Sequence, residues 1–182
     1  MVAAHAALYV YFSLYLAHIG YSKTVIGLMW SLGVIAEIVF FYWQAPIFRR
    51  YGLRWLMLMS LAVGVLRFLL IGLGAASLVL LLLAQVLHAA TFGVHHSASV
   101  ALLQRWFAGP LQARGQALFI SVSYGLGGTL GGLLLAACWD KLGAPSVYVL
   151  AAGMCGLGWV AAWLSFRWQD STVRLMAERS ET

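Results

Sequence analysis

Six long apolar blocks, separated by short polar connections, constrain this chain more than any other feature of its sequence. Each block is about twenty residues long, which is the length that an α-helix needs to cross the hydrocarbon core of a bilayer. A helix satisfies its own backbone hydrogen bonds, so it can cross lipid where an open sheet cannot. The pattern therefore predicts six transmembrane helices and leaves no room for a soluble domain.

The predicted spans follow one another closely along the chain. They cover residues 3–19, 24–45, 55–74 and 78–103, then a fifth block that ends near residue 139, and residues 146–166. We expect the second span to end at Pro46, because proline lacks the backbone donor that a helix needs. The sequence thus predicts an all-α, polytopic membrane helix bundle in residues 1–166, followed by a polar cytoplasmic tail in residues 167–182.

Composition excludes several other classes. Charged residues make up 9% of the chain, against about a quarter in soluble domains. The net charge of +6 could suggest nucleic acid, but the basic residues lie between apolar blocks and form no continuous patch with aromatic residues, so we expect no nucleic-acid partner. Cys138 and Cys155 lie inside apolar blocks, which indicates packing residues rather than disulfides or metal ligands. The residues after Met1 lack the basic segment of a cleavable signal peptide.

The distribution of Lys and Arg orients the bundle. The second and fourth connections and the tail hold eight of them, the other connections hold two, and Arg67 lies inside a span. Because cytoplasmic connections are enriched in basic residues, we predict that both termini are cytoplasmic, in the cytoplasmic (inner) membrane.

A short motif repeats at equivalent points of the two halves. Arg50-Tyr51-Gly52 follows the second span and Lys141-Leu142-Gly143 follows the fifth. Two three-helix units of opposite orientation are the building blocks of many secondary transporters. The motif therefore favours two inverted three-helix repeats, although a basic residue before a glycine is also a common way to end a helix.

Two ionisable side chains lie where a bilayer disfavours them. Glu37 is in the second span and Arg67 in the third, and a charge at mid-depth costs roughly 2.5–3.5 kcal/mol on insertion scales. Neither residue is close enough to a helix end to reach water easily. Both are expected to face the bundle interior, either as a buried ion pair that fixes packing or as part of a functional site.

The fourth span favours the functional interpretation. Gln85, His88 and His95 recur at helical spacing on one face. Histidine exchanges protons near neutral pH, so a carboxylate, a guanidinium and an imidazole at similar depth predict a proton relay or a polar substrate site.

The first and fifth spans add weaker candidates. Tyr11 and Tyr15 share a face of the first span, which suits either an aromatic wall for a substrate or packing. The fifth span contains two overlapping pairs of small residues that let helices approach closely: Gly127, Gly128, Gly131 and Gly132.

Three sequence runs resemble a known family. They are residues 85–96 (QVLHAATFGVHH), 114–118 (RGQAL) and 123–128 (SYGLGG). They resemble the 3-phenylpropionic acid transporter type of the major facilitator superfamily, close to its lactose permease and nucleoside symporter branch. The resemblance covers nearly the whole chain and matches the second six helices of a twelve-helix carrier. Residues 49–54 (RRYGLR) resemble the superfamily's cytoplasmic signature, with Arg49 where an Asp is usual and Leu53 in place of a basic residue.

The resemblance also implies roles for individual residues. Arg67 and His88 match the arginine and histidine of the permease's proton-coupling and sugar-binding cluster. Glu37 lies about one turn beyond the matching carboxylate of its helix. Thr91 stands where the permease has its proton-carrying Glu, which leaves Glu37, with His88, as the candidate proton carrier.

The sequence and the resemblance together predict half of a proton-coupled symporter for a small organic solute, with an aromatic acid such as 3-phenylpropionate as the implied substrate. The coupling ion is the proton, and no other cofactor is expected. The first span begins almost at Met1, so we expect a missing amino-terminal six-helix half or, as a weaker alternative, a second copy of this chain. A truncated or accessory membrane protein without transport is an alternative. A membrane-bound enzyme is a weaker one, because no catalytic motif is present.

Overall fold

In the computed structural model of the protein, six long helices make up the described residues. The structure describes the backbone of residues 1–180 and the side chains of residues 1–172. The predicted tail thus lies partly outside the described residues, as do the side chains of Arg174 and Arg179, which contribute to the charge bias. The helices are α1 (Val2–Ile19), α2 (Lys23–Arg50), α3 (Leu53–Gly74), α4 (Leu78–Trp106), α5 (Gly109–Leu142) and α6 (Ala144–Ser180).

The all-α prediction is confirmed. Within the described residues every element is helical, and six helices are long and apolar enough to cross a membrane. The helix α6 continues to Ser180, beyond the predicted span end at residue 166. Helix α5 buries few of its residues and presents leucines such as Leu126, Leu130 and Leu133 on its outer surface. Exposed apolar side chains of this kind suit contact with lipid.

The predicted end of the second span at Pro46 is wrong. Helix α2 runs through this residue to Arg50, and the amide of Tyr51 still donates to the carbonyl of Ile47 at 2.9 Å. Proline removes one backbone donor but leaves the hydrogen bonds on either side of it intact. Membrane helices tolerate such an interruption better than soluble ones do.

Local sequence explains the sharp turn between α1 and α2. Gly20 ends α1 with a φ of +107°, a left-handed conformation that glycine adopts without strain. Ser22 then caps α2, because its hydroxyl oxygen accepts a hydrogen bond from the amide of Val25 at 3.3 Å. Three residues thus reverse the chain, so the two helices are antiparallel neighbours.

The helix pairings repeat between the two halves of the chain. The packing of α1 on α5 corresponds to the packing of α4 on α2. Likewise, the packing of α1 on α6 corresponds to that of α4 on α3, and α3 and α6 pack on each other. Exchanging the first three helices for the last three leaves these pairings unchanged, whereas the packing of α5 on α6 has no comparable counterpart between α2 and α3 in the described residues. Such a pattern is what two three-helix units related by a pseudo-twofold axis produce.

Three helices contain a π-helical segment. These segments are Ala7–Tyr11 in α1, Ala89–Val94 in α4 and Ser121–Gly127 in α5. A π-helical turn inserts one extra residue per turn, so it rotates the following side chains relative to those before it. Helices α1 and α4 are equivalent in the two triplets, and each carries a histidine just before its π-helical segment.

Candidate functional site

Glu37 and His88 form a pair between α2 and α4. The Oε2 atom of Glu37 lies 3.5 Å from Nε2 of His88, and their side chains are only 18% and 8% exposed. At this distance a proton bound by either group can be shared with the other. The structure therefore brings together the carboxylate and the imidazole that the sequence singles out.

A glycine lets α2 approach α4 beside this pair. Gly33 lies one turn before Glu37, and a Cβ atom added to it would lie 3.1 Å from Oε1 of Gln85. Gln85 is 1% exposed and its Nε2 atom has no hydrogen-bond partner among the described residues. The Nδ1 atom of His88 is likewise buried without a partner in the described part of the chain. Buried polar atoms usually have partners, so these two atoms lack the hydrogen bonds that such atoms normally make.

These residues line an open cavity of about 290 Å³. Its polar lining consists of Glu37, Gln85 and His88, and its aromatic lining consists of Tyr9, Trp30 and Phe92. The rings of Tyr9 and Trp30 are stacked, with centroids 6.4 Å apart. A mainly apolar cavity with a few polar groups is typical of small-molecule sites.

Arg67 is fully buried on α3 and does not pair with Glu37. Its Nε atom donates to the carbonyl of Ala84 at 2.8 Å, and Nη1 donates to Oγ1 of Thr91 at 3.1 Å. No carboxylate of the described side chains lies within 4 Å of the guanidinium. Its Nη2 atom is buried and has no partner within the same residues. The alternative of an ion pair between Glu37 and Arg67 is therefore not what this structure contains.

The sequence analysis missed the residue that connects Arg67 to the pair. His5, on α1, is 2% exposed, and its Nε2 atom lies 3.4 Å from Nη1 of Arg67. Its ring centroid is 5.8 Å from that of His88. The spacing of His5 and Tyr9 on one face of α1 was the available signal. Tyr11 and Tyr15 lie on another face of α1, because side chains two residues apart on an α-helix, such as Tyr9 and Tyr11, point about 200° apart.

A smaller cavity extends the polar region along α4. It holds about 20 Å³, room for roughly one water molecule. His95 and His96 line it together with His5 and Tyr124. The Nδ1 atom of His95 lies 3.0 Å from Oγ of Ser60, and the hydroxyl of Tyr124 lies 3.4 Å from Nδ1 of His96. His95 thus belongs to the same polar region but not to the larger cavity.

Tyr11 and Tyr15 lie away from both cavities. Tyr11 stacks on Trp139 with ring centroids 5.3 Å apart. Tyr15 donates to the carbonyl of Gly72 at 3.1 Å and packs against Tyr148. Both side chains contribute to the packing of α1 against α3, α5 and α6, and the substrate wall predicted for them stays a prediction.

The four glycines of α5 occupy different surroundings. A Cβ atom on Gly131 would lie 2.7 Å from the backbone of Ala3, so α1 and α5 touch at this residue. Gly128 leaves ordinary contact distance to Val2, and a Cβ atom on Gly132 would meet open space. Gly127 would meet only a carbonyl of its own helix. Only Gly131 of the four lies at a tight helix crossing.

Potential metal ligands are not clustered in the described residues, where no group of three or more His, Cys, Asp or Glu side chains could hold an ion. The arrangement can instead do two things. The Glu37–His88 pair can bind and release a proton, and the larger cavity can hold a small solute beside it.

Comparison with known proteins shows the family of the chain. Over 97 residues the chain is 39% identical to the "Probable 3-phenylpropionic acid transporter" of Escherichia coli (strain K12). That match covers 53% of this chain and 25% of the relative, so the chain matches well under two thirds of the relative's length. No solved structure matches the chain significantly. Residues 1–150 match the model of the MFS_1 like family. The family and the relative's name support an integral membrane carrier and not an enzyme. The chain belongs to the MFS_1 like family of the major facilitator superfamily.

Proposed function

We propose that this chain forms six helices of a proton-coupled symporter for a small organic acid. The observation that carries the proposal is the Glu37–His88 pair, 3.5 Å apart at the wall of the larger cavity. A carboxylate inside a membrane bundle is costly to keep. A role in binding a transported proton explains why the chain retains one beside a cavity.

The pair can couple the proton to an anion through charge. When the pair has lost its proton, the Glu37 carboxylate repels an anion that enters the cavity. When the pair holds one proton, that repulsion is gone, and the Gln85 amide in the cavity lining can turn so that its Nε2 donates to a carboxylate. A substrate anion would therefore bind after the proton and leave before it.

An aromatic acid such as 3-phenylpropionate suits this site. The name of the Escherichia coli relative supports this substrate. The rings of Tyr9, Trp30 and Phe92 line the cavity together with its polar groups, and aromatic rings pack favourably against one another. The π-helical segments of α1 and α4, next to His5 and His88, are suited to local rearrangement during alternating access.

A complete carrier of this kind would have a second set of six helices facing the cavity. We expect an amino-terminal six-helix half, or a second copy of this chain, as that partner. The carrier would lie in the inner membrane with both ends of this chain in the cytoplasm, as the Lys and Arg distribution indicates. Arg67 and His95 would tune the site from behind the cavity, Arg67 through His5 and Thr91.

Uptake of labelled 3-phenylpropionate by the complete carrier in proteoliposomes tests the proposal. With the acidic side outside, wild-type carrier should accumulate the label. The Glu37→Gln variant should lose this accumulation but keep exchange of internal for external substrate, because exchange does not require the pair to release its proton. His18→Gln is the matched control, since His18 is exposed on α1. Undiminished, pH-independent uptake by a variant that carries both Glu37→Gln and His88→Gln would contradict the proposal.

A further inference from the structure

Well away from the ends of the six spans, the chain has one acidic and one permanently basic side chain, Glu37 and Arg67. Asp140 and Asp170 lie in the last turn of the fifth span (109–142) and the sixth span (144–172). Arg67 is fully buried and Glu37 is largely so. With neutral histidines, these two charges cancel. Net charge in a low-dielectric interior is costly, so this balance favours the empty site.

The hydrogen bonds of His5 indicate that it is neutral. Its Nδ1 atom lies 3.2 Å from the carbonyl oxygen of Met1, so Nδ1 carries the hydrogen. Its Nε2 atom faces the Nη1 donor of Arg67 at 3.4 Å and must accept there. A second proton, on Nε2, would place two cations in direct contact inside the bundle. His5 therefore accepts no transported proton while it contacts Arg67.

Titratable and charged side chains from four helices surround the Glu37–His88 pair. They are Tyr9 and His5 on α1, Arg67 on α3, His95 and His96 further along α4, and Tyr124 on α5. The two tyrosines are neutral at physiological pH. His95 bonds to Ser60, whose hydroxyl donates to the carbonyl of Met57 at 2.8 Å, so Nδ1 of His95 is the donor in that contact. The Glu37–His88 pair is the proton-binding group that lines the larger cavity.

We infer that the carrier moves one proton with each substrate monoanion and that the complete cycle is electroneutral. This inference rests on the proposed function. The empty site, with Glu37 ionised and Arg67 charged, has no net charge. One proton raises its charge to +1, and one monoanion returns it to zero. In the two forms that must cross between inward and outward states, empty and fully loaded, the buried charges of this chain and of its cargo then sum to zero.

The same sum of charges predicts which substrates the carrier prefers. A neutral solute carried with one proton would leave the loaded site at +1, and a dianion would leave it at −1. Both loaded forms would carry net charge through the membrane interior, at a cost that the monoanion avoids. The site therefore selects monocarboxylic acids over neutral analogues of the same shape, such as the corresponding amide.

Separate chemical and electrical gradients test the inference. The complete carrier is placed in liposomes, and the saturable initial uptake of labelled 3-phenylpropionate is measured after subtraction of uptake by protein-free liposomes. A pH gradient is imposed with the potential held at zero by valinomycin and equal potassium. In a second set, a potassium diffusion potential is imposed at equal pH.

We expect an outside-acid pH gradient to raise the uptake rate several-fold and an inside-negative potential to leave it unchanged. Faster uptake under the inside-negative potential, or a substrate-induced inward current, would overturn electroneutrality while leaving proton coupling intact. Uptake that responds to neither gradient would contradict the proposed coupling itself, and with it this inference. A complete absence of saturable uptake would contradict the proposed substrate and likewise the inference.

The Glu37→Gln variant provides a second readout. Without the carboxylate, the empty site keeps the charge of Arg67 and the anion-loaded site is neutral. Net uptake of the anion should then become electrogenic, slowed by an inside-negative potential and accelerated by an inside-positive one. Glu37→Asp keeps a titratable carboxylate and should remain insensitive to potential. An insensitive Glu37→Gln variant with measurable net uptake would overturn the charge count.

Discussion

Arg67 carries a permanent charge into the bundle, and the atoms around it are neutral acceptors rather than a carboxylate. Its Nε and Nη1 atoms donate to Ala84 and Thr91, and Nη1 also lies near His5. Each such hydrogen bond to a charged group contributes about 1.5–3 kcal/mol. The guanidinium is thereby fixed without an ion pair to Glu37, whose carboxylate is free to pair with His88.

A first prediction concerns His5. His5→Gln keeps an oxygen that can accept from Arg67, whereas His5→Leu removes the acceptor from a buried donor, at a cost of about 1–3 kcal/mol. We expect His5→Gln to keep most of the wild-type uptake and its pH profile. We expect His5→Leu to shift the pH profile, because Arg67 is then free to move relative to His88.

His18→Leu is the matched control on the same helix, since His18 is exposed. Thermal unfolding in detergent, followed alongside uptake against pH, separates the two effects. Equal loss of stability in both His5 variants with unchanged pH profiles would show that His5 acts only in packing.

At the scale of helices, small residues decide which pairs touch. Helix α5 crosses α1 at Gly131, where a Cβ atom would lie 2.7 Å from the backbone of Ala3. Next to it, Gly132 has open space around it. Glycine repeats indicated a close crossing, but the rotation of α5 determines which glycine forms it.

Alanine substitutions at these two neighbours should therefore differ. Gly131→Ala forces α1 and α5 apart, and overpacking of this kind costs about 1–3 kcal/mol. Gly132→Ala adds a methyl group to the open surface and should leave stability unchanged. The melting temperature of the purified protein in detergent, measured for both variants, checks this difference. A lower melting temperature for Gly132→Ala than for Gly131→Ala would contradict the crossing at Gly131.

At the scale of the whole molecule, the connections at the two ends of the bundle differ in charge. The α2–α3 connection and the carboxyl-terminal part of α6 are close together, since Arg54 forms an ion pair with Asp170. Exposed ion pairs add little stability, but this contact places two basic segments at the same end of the bundle. That end is expected to be cytoplasmic.

Cysteine labelling in whole cells tests this orientation. In a background with Cys138→Ser and Cys155→Ser, a cysteine introduced by Lys23→Cys should react with an impermeant thiol reagent added outside. A cysteine introduced by Ala108→Cys, in the α4–α5 connection, should react only after the membrane is permeabilised. Both positions are exposed, so failure to react cannot be ascribed to burial. The reverse pattern would contradict the orientation.

The sequence by itself determined the six helices and the presence of a carboxylate, a guanidinium and several imidazoles within them. It could do so because a bilayer demands about twenty apolar residues per helix and penalises every charge that remains. Most helix ends were near their observed places. The exceptions are Pro46, where neighbouring hydrogen bonds outweighed a local rule, and the end of α6, which continues to Ser180.

Only the tertiary structure decided which polar groups meet. The pairing of Glu37 with His88, the contact of His5 with Arg67 and the packing of Tyr11 against Trp139 depend on how each helix is rotated about its axis. The π-helical segments change that rotation partway along α1, α4 and α5. A regular helical period applied to the sequence does not predict such a change. Backbone hydrogen bonding and contacts between distant helices together decide where the extra residue is inserted.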